Sequence, residues 1–262
     1  MFRLQIIGGG RMGEALLGGL VRSGWAAAEQ LVVVEIDQPR ADAIAGAHPG
    51  LVVVDSPVAA EGTVVAVKPA DVGPAVAAAV AAGGGPILSI AAGVTLQQLE
   101  TAAGPGVAVV RAMPNTPSLV GQGAAAISGG SSTTEDHLAW AEAILGSVGL
   151  VVRVHESALD AVTAVSGSGP AYVFLLAEAL IDAGVTAGLG RDVARALVTQ
   201  TLLGSATLLA QTGEDAAALR HAVTSPGGTT AAALALFERR GVRGVVTEAV
   251  LAAAQRSREL AR

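Results

Sequence analysis

Eight short apolar runs, mostly β-branched, punctuate the first part of the chain: LQII (4–7), LVVVE (31–35), LVVV (51–54), TVVAV (63–67), PILSI (86–90), VAVV (107–110), AAAI (124–127) and LVVRV (150–154). Runs this short and this continuously apolar suit strands buried on both faces, as in a mostly parallel sheet. Segments of helical spacing separate them, so helices should cover both faces of that sheet. Near residue 155 the strand runs stop and long Ala/Leu-rich segments take over. Ser168 as N-cap, with Pro170 just behind it, predicts a helix reaching Ala183 and stopped by Gly184. A second should span about 191–211, with others near 214–222, 229–240 and 243–261. The pattern predicts an α/β domain over residues 1–155 and an all-helical domain over 156–262, with no internal repeat and no low-complexity linker.

Composition removes several function classes. With 262 residues, 52% of them hydrophobic and 15% charged, the chain can bury enough core to need no disulfide or metal staple. It has no cysteine, which excludes thiolate chemistry and cysteine-based zinc sites. His48, His137, His155 and His221 show no ligand spacing, so no metal is expected. A net charge of −6 with scattered arginines lacks the basic stripe that nucleic acid requires. Arg3 runs straight into an apolar strand and a glycine-rich turn, leaving no room for a signal peptide. The most apolar stretch, 73–93, is dominated by Ala and Gly and broken by Pro86, which argues against a membrane span. These features predict a soluble, cytoplasmic protein. The segments 169–184 and 191–211 are apolar on more than one face, more than a small lone domain can bury, so a dimer is the minimum expected unit.

Single copies of three residue types mark where chemistry should lie. Lys68, Asn115 and Tyr172 are the one lysine, one asparagine and one tyrosine, in AVKPAD (66–71), MPNTP (113–117) and SGSGPAY (166–172). Between the first strand and first helix, Gly8, Gly10 and Gly13 form GxGxxG. The first glycine permits a tight turn, the second lets a pyrophosphate approach the backbone, and the third lets helix and strand pack closely. The helix start then offers free N–H groups to phosphates. Glu35, at the end of the second strand, is either the acid that holds the adenosine ribose or a solvated strand end. Its carboxylate would favour NADH and repel a 2′-phosphate, whereas Arg40 could pair with that phosphate, so cofactor choice stays open. Lys68 and Asn115 follow the fourth and sixth strands, at the sheet edge where ligands bind in such folds. Each is a ligand contact or, respectively, a surface lysine and a turn-stabilising amide. Late in the chain, TSPGGTT (224–230) leads into a helix and would cradle an anion such as a carboxylate; a plain N-cap would need only one of its hydroxyls.

Together these segments resemble pyrroline-5-carboxylate reductase, through IIGGGRMGEALLGGL, VAVKPADV, SIAAGVT, VRAMPNTPSLVGQGAAAI, DAVTAVSGSGPAYVFLLAEALIDAGV and LRHAVTSPGGTTAAAL. The resemblance implies a Rossmann-type N-terminal domain and a helical C-terminal domain intertwined with a partner subunit. Homodimers, and in some members rings of dimers, belong to that picture. The resemblance assigns Gly8, Gly10, Arg11, Met12 and Gly13 to the dinucleotide, with Lys68 and Pro69 beside it; the reading of the residues adds Val67, Glu35 and Asn115 as candidate cofactor contacts, Asn115 facing either the nicotinamide or the substrate. It assigns Ser225, Gly227, Gly228, Thr229 and Thr230 to the substrate, 1-pyrroline-5-carboxylate, with Thr230 the candidate catalytic group at the ring nitrogen. NADP(H) or NAD(H) would be the cofactor. Glu35 with Asp37 is more acidic than the NADPH-friendly strand end usual in that family. A β-hydroxyacid dehydrogenase is the rival enzyme, but its catalytic lysine would fall where this chain has Val173. A nucleotide-sensing protein without catalysis would have no use for the TSPGGTT cradle.

Overall fold

A computed structural model describes residues 1–260 and divides into two compact units, one of 1–168 together with the chain from Ala253, the other Gly169–Ala252. The first holds eight strands: β1 (Leu4–Ile7), β2 (Leu31–Val34), β3 (Val52–Val54), β4 (Thr63–Val65), β5 (Ile87–Ser89), β6 (Val109–Met113), β7 (Gly123–Gly129) and β8 (Gly149–Arg153). Each overlaps one of the eight apolar runs, β6 only at 109–110 and extending beyond its run to Met113. They form one sheet in the order β3-β2-β1-β4-β5-β6-β7-β8, parallel except where β7 runs against β6. The exception follows from the connection. Between β6 and β7 lies only a loop with a 3-10 turn at Thr116–Val120, whereas the other neighbours are joined through longer crossovers.

Helices α1 (Arg11–Arg22), α2 (Gln38–Ala47), α3 (Val72–Ala81), α4 (Leu96–Ala103) and α5 (Glu135–Gly146) cover the two faces. Alternation along each strand divides the core. Leu4, Ile6, Val33, Val64 and Leu88 pack with Leu16, Leu17, Ile44 and Ile144 on one side, while Ile7, Val34, Val65 and Ile87 pack with Val72, Val76 and Leu99 on the other. Each such fully buried side chain contributes about 1.5–3 kcal/mol, and Leu16→Ala would cost about 2–5 kcal/mol. Among the buried polar residues of this unit, Gln5 and Thr63 satisfy each other: the Gln5 amide donates to Thr63 Oγ1 at 2.9 Å, and the Thr63 hydroxyl donates to the Gly84 carbonyl.

Past β8, the short helix α6 (Leu159–Val162) runs into a π turn at Thr163–Gly167. The first compact unit runs through Ser168, so α6 and the π turn lie in it with the sheet. The second unit comprises α7 (Gly169–Thr186), α8 (Arg191–Thr212), α9 (Ala216–Ala222), α10 (Thr229–Arg239) and the first part of α11 (Val242–Leu260). Gly184 does not stop α7. A Cβ there would lie 3.2 Å from the Ala194 Cβ, so this glycine is where α8 crosses closely; the chain turns instead at Gly188, φ +104°. Ala194 is the one fully buried residue among 169–252, while Phe174, Leu175, Leu176, Val193, Leu197 and Leu203 stand exposed. Taken alone, this unit has almost no core.

Candidate active site

The β1–α1 turn is shaped by its glycines. Gly8 takes φ +102°, and a Cβ on it would fall 2.7 Å from the Ala66 carbonyl oxygen, so β4's continuation passes directly against the turn. A Cβ on Gly13 would lie 2.1 Å from the Gly8 carbonyl oxygen. Gly10 differs: a Cβ there would meet nothing within 4 Å. It is also the N-cap of α1, with no side-chain cap, and the first backbone bond of the helix runs from Glu14 N–H to Gly10 O. The amides of Arg11, Met12 and Gly13 are thus the helix's first-turn donors, without an intrahelical acceptor. Such donors could hold the phosphates of a dinucleotide. Arg11 is exposed, and Met12 packs against the core.

At the end of β2, Glu35 is held by the backbone. Its Oε2 accepts from Gly9 N–H at 2.9 Å and its Oε1 from Asp37 N–H at 3.0 Å. Each carboxylate oxygen keeps further acceptor capacity, enough for ribose hydroxyls. Arg40, in the first turn of α2, donates from Nε to the Gly9 carbonyl at 2.7 Å and pairs with Glu14 of α1. Asp37 caps α2 by accepting from Arg40 N–H. Glu14 had no signal in the sequence, because a partner 26 residues away in another βα unit leaves no local pattern.

Val67, Lys68 and Pro69 follow β4, with Val67 half-buried and Lys68 and Pro69 exposed before the 3-10 turn Pro69–Asp71. Asn115, only 9% exposed, turns its side chain inward. Its Nδ2 donates to the Ser166 carbonyl at 3.0 Å and its Oδ1 accepts from Ala124 N–H at 2.8 Å. It ties β7 to the π turn that contains the first two residues of SGSGPAY, and at Gly167 a Cβ would lie 2.5 Å from Met113 Cε. The geometry makes Asn115 a positioning residue for that turn, and the carboxamide's ligand capacity is correspondingly reduced.

In the second unit, Gly227 takes φ +71° and Gly228 is the N-cap of α10, again without a side-chain cap. The Gly228 N–H donates to Ser225 O at 3.1 Å, closing a tight turn, and a Cβ on Gly228 would fall 2.4 Å from Ser225 Oγ. The amides of Thr229 and Thr230 sit in the helix's first turn with no intrahelical acceptor. Ser225 and Thr229 are exposed and Thr230 half-buried, so two hydroxyls and several N–H donors gather at one helix start.

Comparison with known proteins identifies the family. Residues 156–260 match the family model described as pyrroline-5-carboxylate reductase dimerisation, and residues 3–93 match one described as NADP oxidoreductase coenzyme F420-dependent. The pyrroline-5-carboxylate reductase of Mycobacterium tuberculosis (strain ATCC 25618 / H37Rv) is 46% identical, over 99% of this chain and 97% of its own. The chain belongs to the pyrroline-5-carboxylate reductase family. Among solved structures, the pyrroline-5-carboxylate reductase of Coxiella burnetii superposes with a TM-score of 0.93 at 33% identity, covering 100% of this chain and 99% of that one. The Plasmodium falciparum pyrroline carboxylate reductase, solved with NADP bound, gives 0.86 at 30% identity, covering 100% and 98%. This reductase is an NAD(P)-dependent oxidoreductase with a Rossmann-type domain and a helical dimerisation region, as its sequence predicted. Two of its helical segments, Glu156–Thr186 and Arg191–Thr212, are long and apolar enough to cross a membrane. Both fall within the matched dimerisation region.

Proposed function

We propose that this reductase converts 1-pyrroline-5-carboxylate to L-proline, the last step of proline synthesis, with the substrate carboxylate held at Ser225–Thr230. The uncapped N-terminus of α10, framed by Gly227, Gly228 and two hydroxyls, is the observation that carries the substrate assignment. It offers N–H donors and a favourable helix dipole to one negative charge. Gly8, Gly10, Arg11, Met12 and Gly13 hold the dinucleotide phosphates, Glu35 the ribose, and Val67, Lys68 and Pro69 flank the cofactor.

When bound, the reduced nicotinamide supplies the hydride equivalent to the C=N carbon. The protein's own work is placement, because a protonated imine is already electrophilic and needs orientation more than a strong acid. Ser225 and the Gly227–Thr230 amides fix the carboxylate. The Thr230 hydroxyl bonds the ring nitrogen and carries its proton. Asn115 holds the π turn that presents SGSGPAY. No histidine or lysine lies in the 224–230 segment to serve as an acid, which agrees with this division of labour.

The exposed apolar faces of α7 and α8 meet a second copy of the chain rather than lipid, making a homodimer the working unit, in the cytoplasm. A unit of such composition with one buried residue gains its core from a partner. Rings of dimers would need a further surface. Steady-state assays of the purified chain with 1-pyrroline-5-carboxylate, following NADH and NADPH separately, test the assignment. Loss of absorbance only when substrate is present supports it, and no turnover with either cofactor defeats it.

A further inference from the structure

The middle glycine of the phosphate turn is gripped from both sides by the second βα unit. Glu35 accepts from the Gly9 N–H, and Arg40 donates from Nε to the Gly9 carbonyl. The Arg40 Nη2 is taken by Glu14, on the first turn of α1. A guanidinium binds a phosphate bidentately through either of two edges, Nε with Nη2 or Nη1 with Nη2. Here the first edge is engaged by the protein, and the two bonds fix where the guanidinium sits and how its remaining donors are aimed. Arg40 is the basic residue nearest in sequence to the end of β2, where a ribose phosphate would have to be met, and it is held in place by the protein itself.

The surrounding charge points the same way. Glu14, Glu35 and Asp37 all hydrogen-bond within this network, against the single guanidinium of Arg40. Three carboxylates and one guanidinium leave two net negative charges beside the strand end. A ribose with two hydroxyls is compatible with that field, and a doubly charged 2′-phosphate is not.

We propose that Glu14 is the positioning residue that sets a preference for NAD(H) over NADP(H), by locking Arg40 onto the Gly9 carbonyl and away from the 2′-phosphate. The proposal rests on the glycine turn being the dinucleotide site. Releasing the lock frees a cation at the place where NADP(H) differs from NAD(H), and at the same time removes one opposing carboxylate.

Titration calorimetry of the full-length protein with NAD⁺ and with NADP⁺ tests this without turnover. Wild type should bind NAD⁺ more tightly. Glu14→Gln should tighten NADP⁺ by about tenfold, while moving NAD⁺ by less than about threefold. Glu14→Asp, which keeps the charge, should stay closer to wild type than Glu14→Gln. In the double variant Glu14→Gln/Arg40→Leu the gain for NADP⁺ should vanish. Equal changes for both dinucleotides, an unchanged ratio, or a gain that survives loss of Arg40 would overturn the proposal. Arg40→Leu alone reads the lock independently of how Glu14→Gln folds. It should leave the ratio of the two dissociation constants within about threefold of wild type. A selective loss of NADP⁺ binding beyond about threefold, more than the change in surrounding charge accounts for, would mean that Arg40 already grips the phosphate, and the proposal fails. If wild type binds neither dinucleotide, the assignment of the glycine turn itself is wrong and the proposal falls with it.

Discussion

Two alanine substitutions in one turn should separate folding from cofactor binding. At Gly10 the backbone sits at φ −63° and ψ 179°, open to any residue, and an added Cβ meets nothing within 4 Å. Gly10→Ala should therefore cost the fold at most about 1 kcal/mol, the usual penalty for alanine at an N-cap. The same methyl occupies the space through which a pyrophosphate must approach. Losing one charge-assisted bond of about 1.5–3 kcal/mol would weaken dinucleotide binding roughly tenfold to a hundredfold. Gly13→Ala is the contrast. Its Cβ would lie 2.1 Å from the Gly8 carbonyl oxygen, so α1 must move away from β1 by more than an ångström to restore ordinary contact. That overpacking should cost about 1–3 kcal/mol of stability and weaken binding as well. Urea midpoints and cofactor dissociation constants, by quenching of tryptophan or by calorimetry, read the two effects separately. Undiminished binding by Gly10→Ala with a normal midpoint would refute the phosphate role of the turn.

Other substitutions probe the remaining parts. Ser225→Ala should mainly raise KM for 1-pyrroline-5-carboxylate, since the carboxylate is bound in both ground and transition states, whereas Thr230→Val should lower kcat more than it raises KM; unchanged steady-state constants in Thr230→Val would reduce that threonine to a helix-start residue. Glu35→Ser should shift the ratio of kcat/KM toward NADPH by about tenfold or more, and it should weaken both cofactors because Gly9 loses its acceptor; no shift in the ratio would leave Glu35 as a purely structural clamp. Leu175→Glu, on the exposed face of α7, should lower the sedimentation coefficient to that of a monomer and abolish activity together; a fully active monomer would end the dimer proposal. The Ser131 backbone N–H holds the Glu100 carboxyl below its ordinary value of 4.5, so its contribution is complete above that value and lost as pH falls through the lowered one. Glu100→Gln should accordingly flatten the acid limb of stability in a pH series of urea melts, and an identical acid limb would contradict the assignment.

The strands were legible because a sheet buried on both faces demands unbroken apolar runs, and each run supplied one strand. Direction was less legible. The reversal at β7 depends on how short the β6–β7 connection is, and the apolar pattern of AAAI is the same for either direction. Gly184 looked like a helix stop because glycine usually serves that role, but close approach of Ala194 gives it a packing role inside α7. The glycine turn and the TSPGGTT segment were readable because their chemistry is carried by consecutive residues. Asn115 was legible as a special residue and not as a clamp, since its partners Ser166 and Ala124 come from other elements. The Glu14–Arg40 pair was invisible for the same reason, being made by tertiary contact alone.

The most direct measurement of the central claim uses reduced cofactor carrying deuterium at the transferred position, mixed with the purified chain and 1-pyrroline-5-carboxylate. The account predicts L-proline formed in equal amount with oxidised cofactor, carrying one deuterium on its δ carbon, the former C=N carbon. Oxidised cofactor without labelled proline, or neither product with the cofactor demonstrably bound, would contradict it.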